Sequence, residues 1–171
     1  MPPIGASDHV AGVGPEAIVY VDLACPHCAA GWPRIRGLAL RLCVRHFPVA
    51  SKRPRATALH AAAEAASMQR EVAFWELCDS IYADQGHQDD PHLWARAEAL
   101  GLDLERFEAE RRSAPVASRI AADFHSGIRA GVTGTPAAFA SGRRLDGDTV
   151  GALSAIAASV TSPALENESS D

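Results

Sequence analysis

Lysine is almost missing from this chain: of its 16 basic side chains, all but Lys52 are arginines. Nothing basic precedes Arg34, and the opening "MPPIGASDHVAGVG" has no apolar stretch, so the chain reads as carrying no secretory leader and is expected to be cytoplasmic. No apolar run approaches the roughly 20 residues that a membrane-spanning helix needs. Cysteine is scarce, too. Cys25, Cys28, Cys43 and Cys78 are too few and too unevenly spaced for the disulfide framework of a small secreted domain. No internal repeat or low-complexity block is visible beyond an alanine bias. What is present, 171 residues with 47% hydrophobic content, suits one globular domain able to bury a core without staples.

Acidic residues are absent from 23 to 63, a segment that holds Arg34, Arg36, Arg41, Arg45, Lys52, Arg53 and Arg55. In a chain of net charge −5 this reads as a solvated, arginine-rich surface and not as a nucleic-acid site. Positive potential there would favour a nearby thiolate.

The β-branched and aromatic run "AIVYVDL", residues 17–23, predicts a strand buried on both faces. After it, "PHCAAGWPRIRG" predicts a helix with Pro26 in its first turn, Gly37 as its stop and a kink at Pro33. Residues 38–49 predict a second strand parallel to the first, completing a βαβ unit. From 54 to 131 the periodicity is helical: an alanine-rich helix with Leu59, Ala62 and Ala66, then helices around Phe74–Ile81, Leu93–Leu100 and Leu104–Phe107. A longer helix follows with Val116, Ile120, Phe124 and Ile128 on one face. A β-hairpin turning at Ser141-Gly142-Arg143 and a last helix, Val150 to Val160, close the pattern. The expected organisation is a flexible segment at 1–14, a βαβ part at 15–53, a helical insert at 54–131, a ββα part at 132–160 and a disordered tail at 161–171.

The chemistry is concentrated in Cys25-Pro26-His27-Cys28, between the first strand and its helix. A C-x-x-C at a helix start places two sulfurs within bridging distance and aims the first at unpaired amide hydrogens and the positive end of the helix dipole. Cys25 is expected to be an activated thiolate, helped by His27 and the basic segment, with Cys28 as the shielded resolving thiol. Half a zinc site is the rival reading. It loses ground because no second C-x2-C or H-x3-5-H is read as completing a zinc site and because the pair sits inside a βαβ pattern. About a hundred residues on, "GVTGTPAAF" offers a turn suited to a cis bond before Pro136, although an ordinary trans proline at a strand start fits the same letters.

Together with "RHFPV", "FWEL", "LGLDLERFEAE", "SGIRAGVTGTPAAF" and "GRRLDG", this pattern resembles the DsbA-like branch of the thioredoxin superfamily over roughly residues 10–158. Within that branch it is similar to bacterial thioredoxin-like domains found alone or fused to sodium/proton antiporters. The resemblance implies an α/β thioredoxin-like fold, a central mixed sheet flanked by helices with an inserted all-helical subdomain. It also implies thiol-disulfide exchange with protein or low-molecular-weight disulfides. Cys25 would be the nucleophile, Cys28 the resolving thiol, Pro26 and His27 the tuning pair, Pro136 a cis-proline facing the sulfurs and Thr135 a backbone partner for substrate. No cofactor is implied beyond the Cys25–Cys28 disulfide. An unidentified redox partner would recycle it, and a monomer without nucleic acid or membrane insertion is expected. Oxidase, reductase and isomerase directions remain open.

Around the pair, Asp22 reads equally as a strand-end or capping carboxylate and as a proton relay. Trp32 is a candidate lining for the substrate groove, while Trp75 and Trp94 read as packing. Cys43 and Cys78 read as buried inert thiols, and His46 and His60 receive no role. A peptide-binding or transporter-associated module without catalysis is the alternative from a different class, and a zinc-binding module the third. Two intact thiols argue against pure binding.

Overall fold

The structure, a computed structural model, describes residues 3–159; the expected disordered tail lies outside them. Its centre is the run predicted to be buried on both faces. Strand β2 (Glu16–Val21) is covered along its whole length after Glu16. Ala17, Val19 and Val21 enter the larger core, and Ile18 and Tyr20 enter a second core on the opposite face with Cys43, Phe47 and Phe139.

Beside β2 runs β3 (Arg41–His46), parallel to it with Ala17 opposite Leu42 and Tyr20 opposite Arg45. They are joined by helix α1 (Pro26–Arg36), which begins with Pro26 where a missing N–H costs nothing and runs unbroken across Pro33. On the other side of β2 lies β4 (Ala137–Ala140), antiparallel, followed by the two-residue β5 (Arg143–Arg144).

One strand was not expected. His9–Ala11, inside the segment read as flexible, forms β1 at the sheet edge, antiparallel to β3, with Val10 opposite Cys43. The five-stranded order is β1-β3-β2-β4-β5. Between β1 and β2 the chain turns tightly over residues 39–40. Gly12 at φ +79° and Gly14 at φ +135° make this possible, because a Cβ on either would lie 2.4 or 2.3 Å from the Leu40 or Ala39 carbonyl oxygen.

The insert is helical throughout: α2 (Ala56–Gln69), α3 (Glu71–Ala83), α4 (Asp90–Ala99), α5 (Leu104–Arg111) and α6 (Ala114–Arg129). Helix α2 is buried almost all round from Ala56 to Ala66, and its small side chains let the neighbouring helices approach closely. On α6, Val116 and Ile120 are buried but Ile128 is 52% exposed, because the buried face passes instead to Asp123, Ser126 and Gly127, the last packed against Phe47 and Tyr20. Helix α7 (Thr149–Ser159) packs beside α1. Among the described residues no helix is long and apolar enough to cross a membrane.

The basic segment is the solvated surface expected only in part: Arg34 and Lys52 are exposed, but most of its other arginines are engaged. Arg45 is buried against Asp8, and Arg36, Arg41, Arg53 and Arg55 pair with Asp79, Glu16, Asp22 and Asp90, all from outside the segment. Its charge is largely spent on ion pairs.

Gly14→Ala should lower unfolding stability by about 2 kcal/mol or more in urea denaturation, since positive φ and the carbonyl clash act together. Gly147→Ala, at φ +80° but with no heavy atom within 4 Å of the new methyl, should cost about 1 kcal/mol. Equal small losses would show that the 12–14 turn tolerates a side chain.

Candidate active site

The site is built on a loop, residues 22–25, whose backbone is held almost group by group. The Cys25 amide donates to the Asp22 carbonyl at 2.9 Å. Leu23 donates its amide to His60 Nε2 at 3.1 Å and accepts at its carbonyl from Gln85 Nε2 at 3.0 Å. The Tyr82 hydroxyl donates to the Asp22 carbonyl at 3.3 Å. His60 lies on α2 and Tyr82 on α3, with Gln85 just beyond it, so the helical insert fixes the loop that delivers Cys25.

Asp22 anchors the arrangement from within. Fully buried, its carboxylate accepts from the amides of Ala24 (2.9 Å) and Val49 (3.1 Å) and from Arg53 Nη1 (3.0 Å), with His60 Nε2 at 3.7 Å. Burial alone would raise its pKa, but the His60 ring beside it and the Ala24 and Val49 amides outweigh that and hold it below the ordinary carboxylate value. It is neither a solvated strand end nor a helix cap, since Cys25, the N-cap of α1, receives no side-chain capping bond.

Cys25 is extended at the N-cap (φ −88°, ψ 121°), which leaves the amides of His27 and Cys28 aimed at its sulfur. Its pKa falls from 9.0 to about 5. The largest cause is the hydrogen bond donated by the Cys28 thiol; burial opposes it, and the Thr135 hydroxyl and the two amides add to it. Pro26 and His27 are exposed. Cys28 moves the opposite way: burial, then its donation to Cys25, raises its pKa far above that of an ordinary thiol.

The second signal from sequence meets the first here. The Thr135–Pro136 bond is cis, and the Thr135 carbonyl lies 3.5 Å from Cys25 Sγ. The Thr135 side chain, its hydroxyl buried and without a hydrogen-bond partner, lowers the pKa of both thiols. All four cysteines are free thiols. Cys43 and Cys78 are buried in cores on opposite faces of the sheet, and burial raises both, Cys43 to about 12.

Trp32 is not in an open groove. It is 3% exposed, stacks near Trp75 and Tyr82 and donates to Asp79, so its work is packing behind the site. Trp94, read as packing, is 39% exposed and donates to Glu108 at 2.7 Å. Reading the sequence missed His60, Tyr82 and Gln85, whose positions in an insert at 54–131 carry no local mark of the loop they support. It also passed over one H-x4-H spacing, His87 and His92, whose exposed rings bond to Asp84 and Asp89.

A model of the DSBA-like thioredoxin domain matches residues 37–155, a span that begins beyond Cys28. The chain is 38% identical over 163 residues to "Na(+)/H(+) antiporter NhaA 1" of Salinispora arenicola, covering 91% of this chain and 24% of that protein. It is 36% identical over 158 residues to "Na(+)/H(+) antiporter NhaA" of Herminiimonas arsenicoxydans, covering 85% and 24%. It thus spans about a quarter of the length of these curated relatives. Among solved structures, the thiol-disulfide exchange protein alpha-DsbA2 of Wolbachia pipientis superposes with a TM-score of 0.81 at 16% identity, over 91% of this chain and 88% of that one. A thioredoxin-like oxidoreductase of Silicibacter pomeroyi gives 0.78 at 19% identity, over 92% and 93%. At such identities the likeness is one of fold.

A depressed folded pKa at Cys25 stabilises the reduced protein above the ordinary thiol value near 9, and that contribution is lost as pH falls through about 5. The disulfide form has no such group. The stability of the reduced form minus that of the oxidised form, from urea unfolding, should therefore fall between pH 8 and pH 4. A difference that does not change with pH would show that Cys25 is not activated.

Proposed function

Since this chain belongs to the DSBA-like thioredoxin domain family, we propose that it exchanges disulfides with protein or low-molecular-weight thiols through Cys25 and Cys28. The observation that carries the proposal is the opposite displacement of two thiols in one C-x-x-C, the first down to about 5 and the second far up.

Each step follows from that asymmetry. The Cys25 thiolate attacks a substrate disulfide; a new S–S bond forms to Cys25 and one substrate sulfur leaves as thiolate. Cys28 then gives up its proton and attacks Cys25 Sγ, closing the Cys25–Cys28 disulfide and releasing the second substrate thiol. Two electrons have passed to the substrate, and the reverse sequence oxidises a dithiol. Before attack, Cys28 and Thr135 stabilise the thiolate; burial is the largest cause that holds the Cys28 proton, and once Cys25 is in a mixed disulfide the second, its donation to the Cys25 thiolate, is gone, which eases loss of that proton. Cys25 has no exposed surface, so substrate must displace part of its cover, and the Thr135 backbone, whose carbonyl is 3.5 Å from Sγ, is placed to pair with it. No cofactor beyond the two sulfurs is required, and a separate redox protein recycles the pair.

The matches to antiporter-named proteins favour a second reading, a module that accompanies a transporter without catalysis. The two readings separate on the cysteines. Cys25→Ser should reduce exchange with a model disulfide to background, while Cys28→Ser should accumulate mixed disulfides detectable by mass spectrometry. Equal trapping by both variants, or exchange that survives Cys25→Ser, would contradict the assigned roles.

A further inference from the structure

Three buried side chains on the far side of the Asp22 loop converge on one point. His9 on β1, His46 at the end of β3 and Glu64 on α2 are 4%, 1% and 6% exposed, and one ring nitrogen of each histidine and one carboxylate oxygen lie within 4.8 Å of one another. Both Nε2 atoms are 2.7 Å from the same Glu64 Oε1. We propose that these residues form a binding site for a divalent transition-metal ion of the zinc class, separate from the cysteine pair.

The donor set fits. Two imidazole nitrogens and one carboxylate oxygen, with a fourth position left for water, is a recurrent zinc arrangement. Each histidine also has the outer partner that metal-bound imidazoles need to fix their orientation. His9 Nδ1 is 2.9 Å from Glu71 Oε1 and His46 Nδ1 is 2.6 Å from His60 Nδ1. Phe74 holds both rings, stacked on His9 at 3.6 Å and edge-on to His46 at 5.8 Å. A cavity of about 540 Å³ gives solvent access, with His9, Glu64 and Glu71 in its wall. Arg119 pairs through its two Nη atoms with Asp8 and Asp123, but its Nε lies 3.6 Å from Glu64 Oε1 and competes with the ion for that oxygen, so the guanidinium must shift toward its two aspartates when metal binds.

Proton positions connect this site to the redox loop. A backbone N–H only donates, so the Leu23 amide makes His60 Nε2 an acceptor; His60 Nδ1–H then donates to His46 Nδ1, and His46 Nε2–H to Glu64. A metal on His46 Nε2 requires the other tautomer of both rings. His46 Nδ1–H then donates to His60 Nδ1, and His60 Nε2, now protonated, can no longer accept from the Leu23 amide 3.1 Å away, so the ring must swing toward Asp22 Oδ1, 3.7 Å away, and the Leu23 amide gives up that bond. The His9 Nε2 proton leaves to solvent. The ion would clamp the three-residue edge strand β1 to β3 and α2 and draw His60 toward Asp22.

The test uses the full chain with Cys25–Cys28 oxidised, so that the sulfurs cannot bind metal and the outcome does not depend on disulfide exchange. Equilibrium dialysis should find one zinc per chain, Co2+ should give the visible absorption of a tetrahedral site, and the melting temperature should rise by about 5 °C at a hundredfold excess over Kd. His9→Ala, at the edge strand, and Glu64→Gln should each weaken uptake at least tenfold while circular dichroism shows them folded; if Glu64→Gln fails to fold, His9→Ala alone decides. No uptake by the oxidised protein overturns the proposal, and so does uptake indifferent to both substitutions. Uptake lost in a His87→Ala/His92→Ala variant instead would place the ion on the exposed histidines. Uptake confined to the reduced protein and abolished by Cys25→Ser would place it on the sulfurs. Either result would also overturn the assignment.

Discussion

A carboxylate buried where the central strand ends is the constraint on which the site depends. An unpaired charge in such a place costs several kcal/mol, whereas Asp22 receives two backbone amides and an arginine. Each bond joins a different piece of the chain. Ala24 belongs to the cysteine loop, Val49 to the exit from β3, and Arg53 to the approach to the insert. Removing the carboxylate would leave a guanidinium and two amides facing a gap, with the loss falling on the conformation that presents Cys25. Tyr82, Gln85 and His60 complete the clamp from the insert. The helical subdomain thus supports the reactive loop as well as adding bulk beside it.

Within that frame, identical side chains acquire opposite properties from their places on one helix. Cys25 sits before the first turn, where backbone amides have no helical partner; Cys28 sits one turn in, where burial dominates. Pro26 contributes by having no N–H, which leaves the donors of His27 and Cys28 directed at the sulfur. The pair is self-reinforcing, because the proton that Cys28 keeps is the one that stabilises the Cys25 thiolate.

What could be read from the sequence follows from the range of each interaction. The C-x-x-C, its strand, its helix and the parallel return strand are local patterns, and the helical insert and closing hairpin show their own periodicity. Partners far apart in sequence leave no such trace. Arg45 and Asp8 are 37 residues apart, so a segment rich in arginine looked solvated while most of its charge was already matched. His9–Ala11 is too short for alternation to mark a strand, and its place at the edge depends on β3. Trp32 stood near the cysteines in sequence, yet helix geometry turned it to Trp75 and Tyr82. His46 and His60 resembled ordinary polar residues until the fold brought them within 2.6 Å.

The account stands on the Cys25 thiolate, and its titration measures that directly. Ultraviolet thiolate absorbance of the reduced protein, followed from pH 3 to pH 10, should give a midpoint near 5 in the native chain. The midpoint should move upward by at least about one unit in Cys28→Ala, which removes the largest stabilising hydrogen bond. A native midpoint near the ordinary thiol value of 9.0, or one that Cys28→Ala leaves unchanged, would contradict the account.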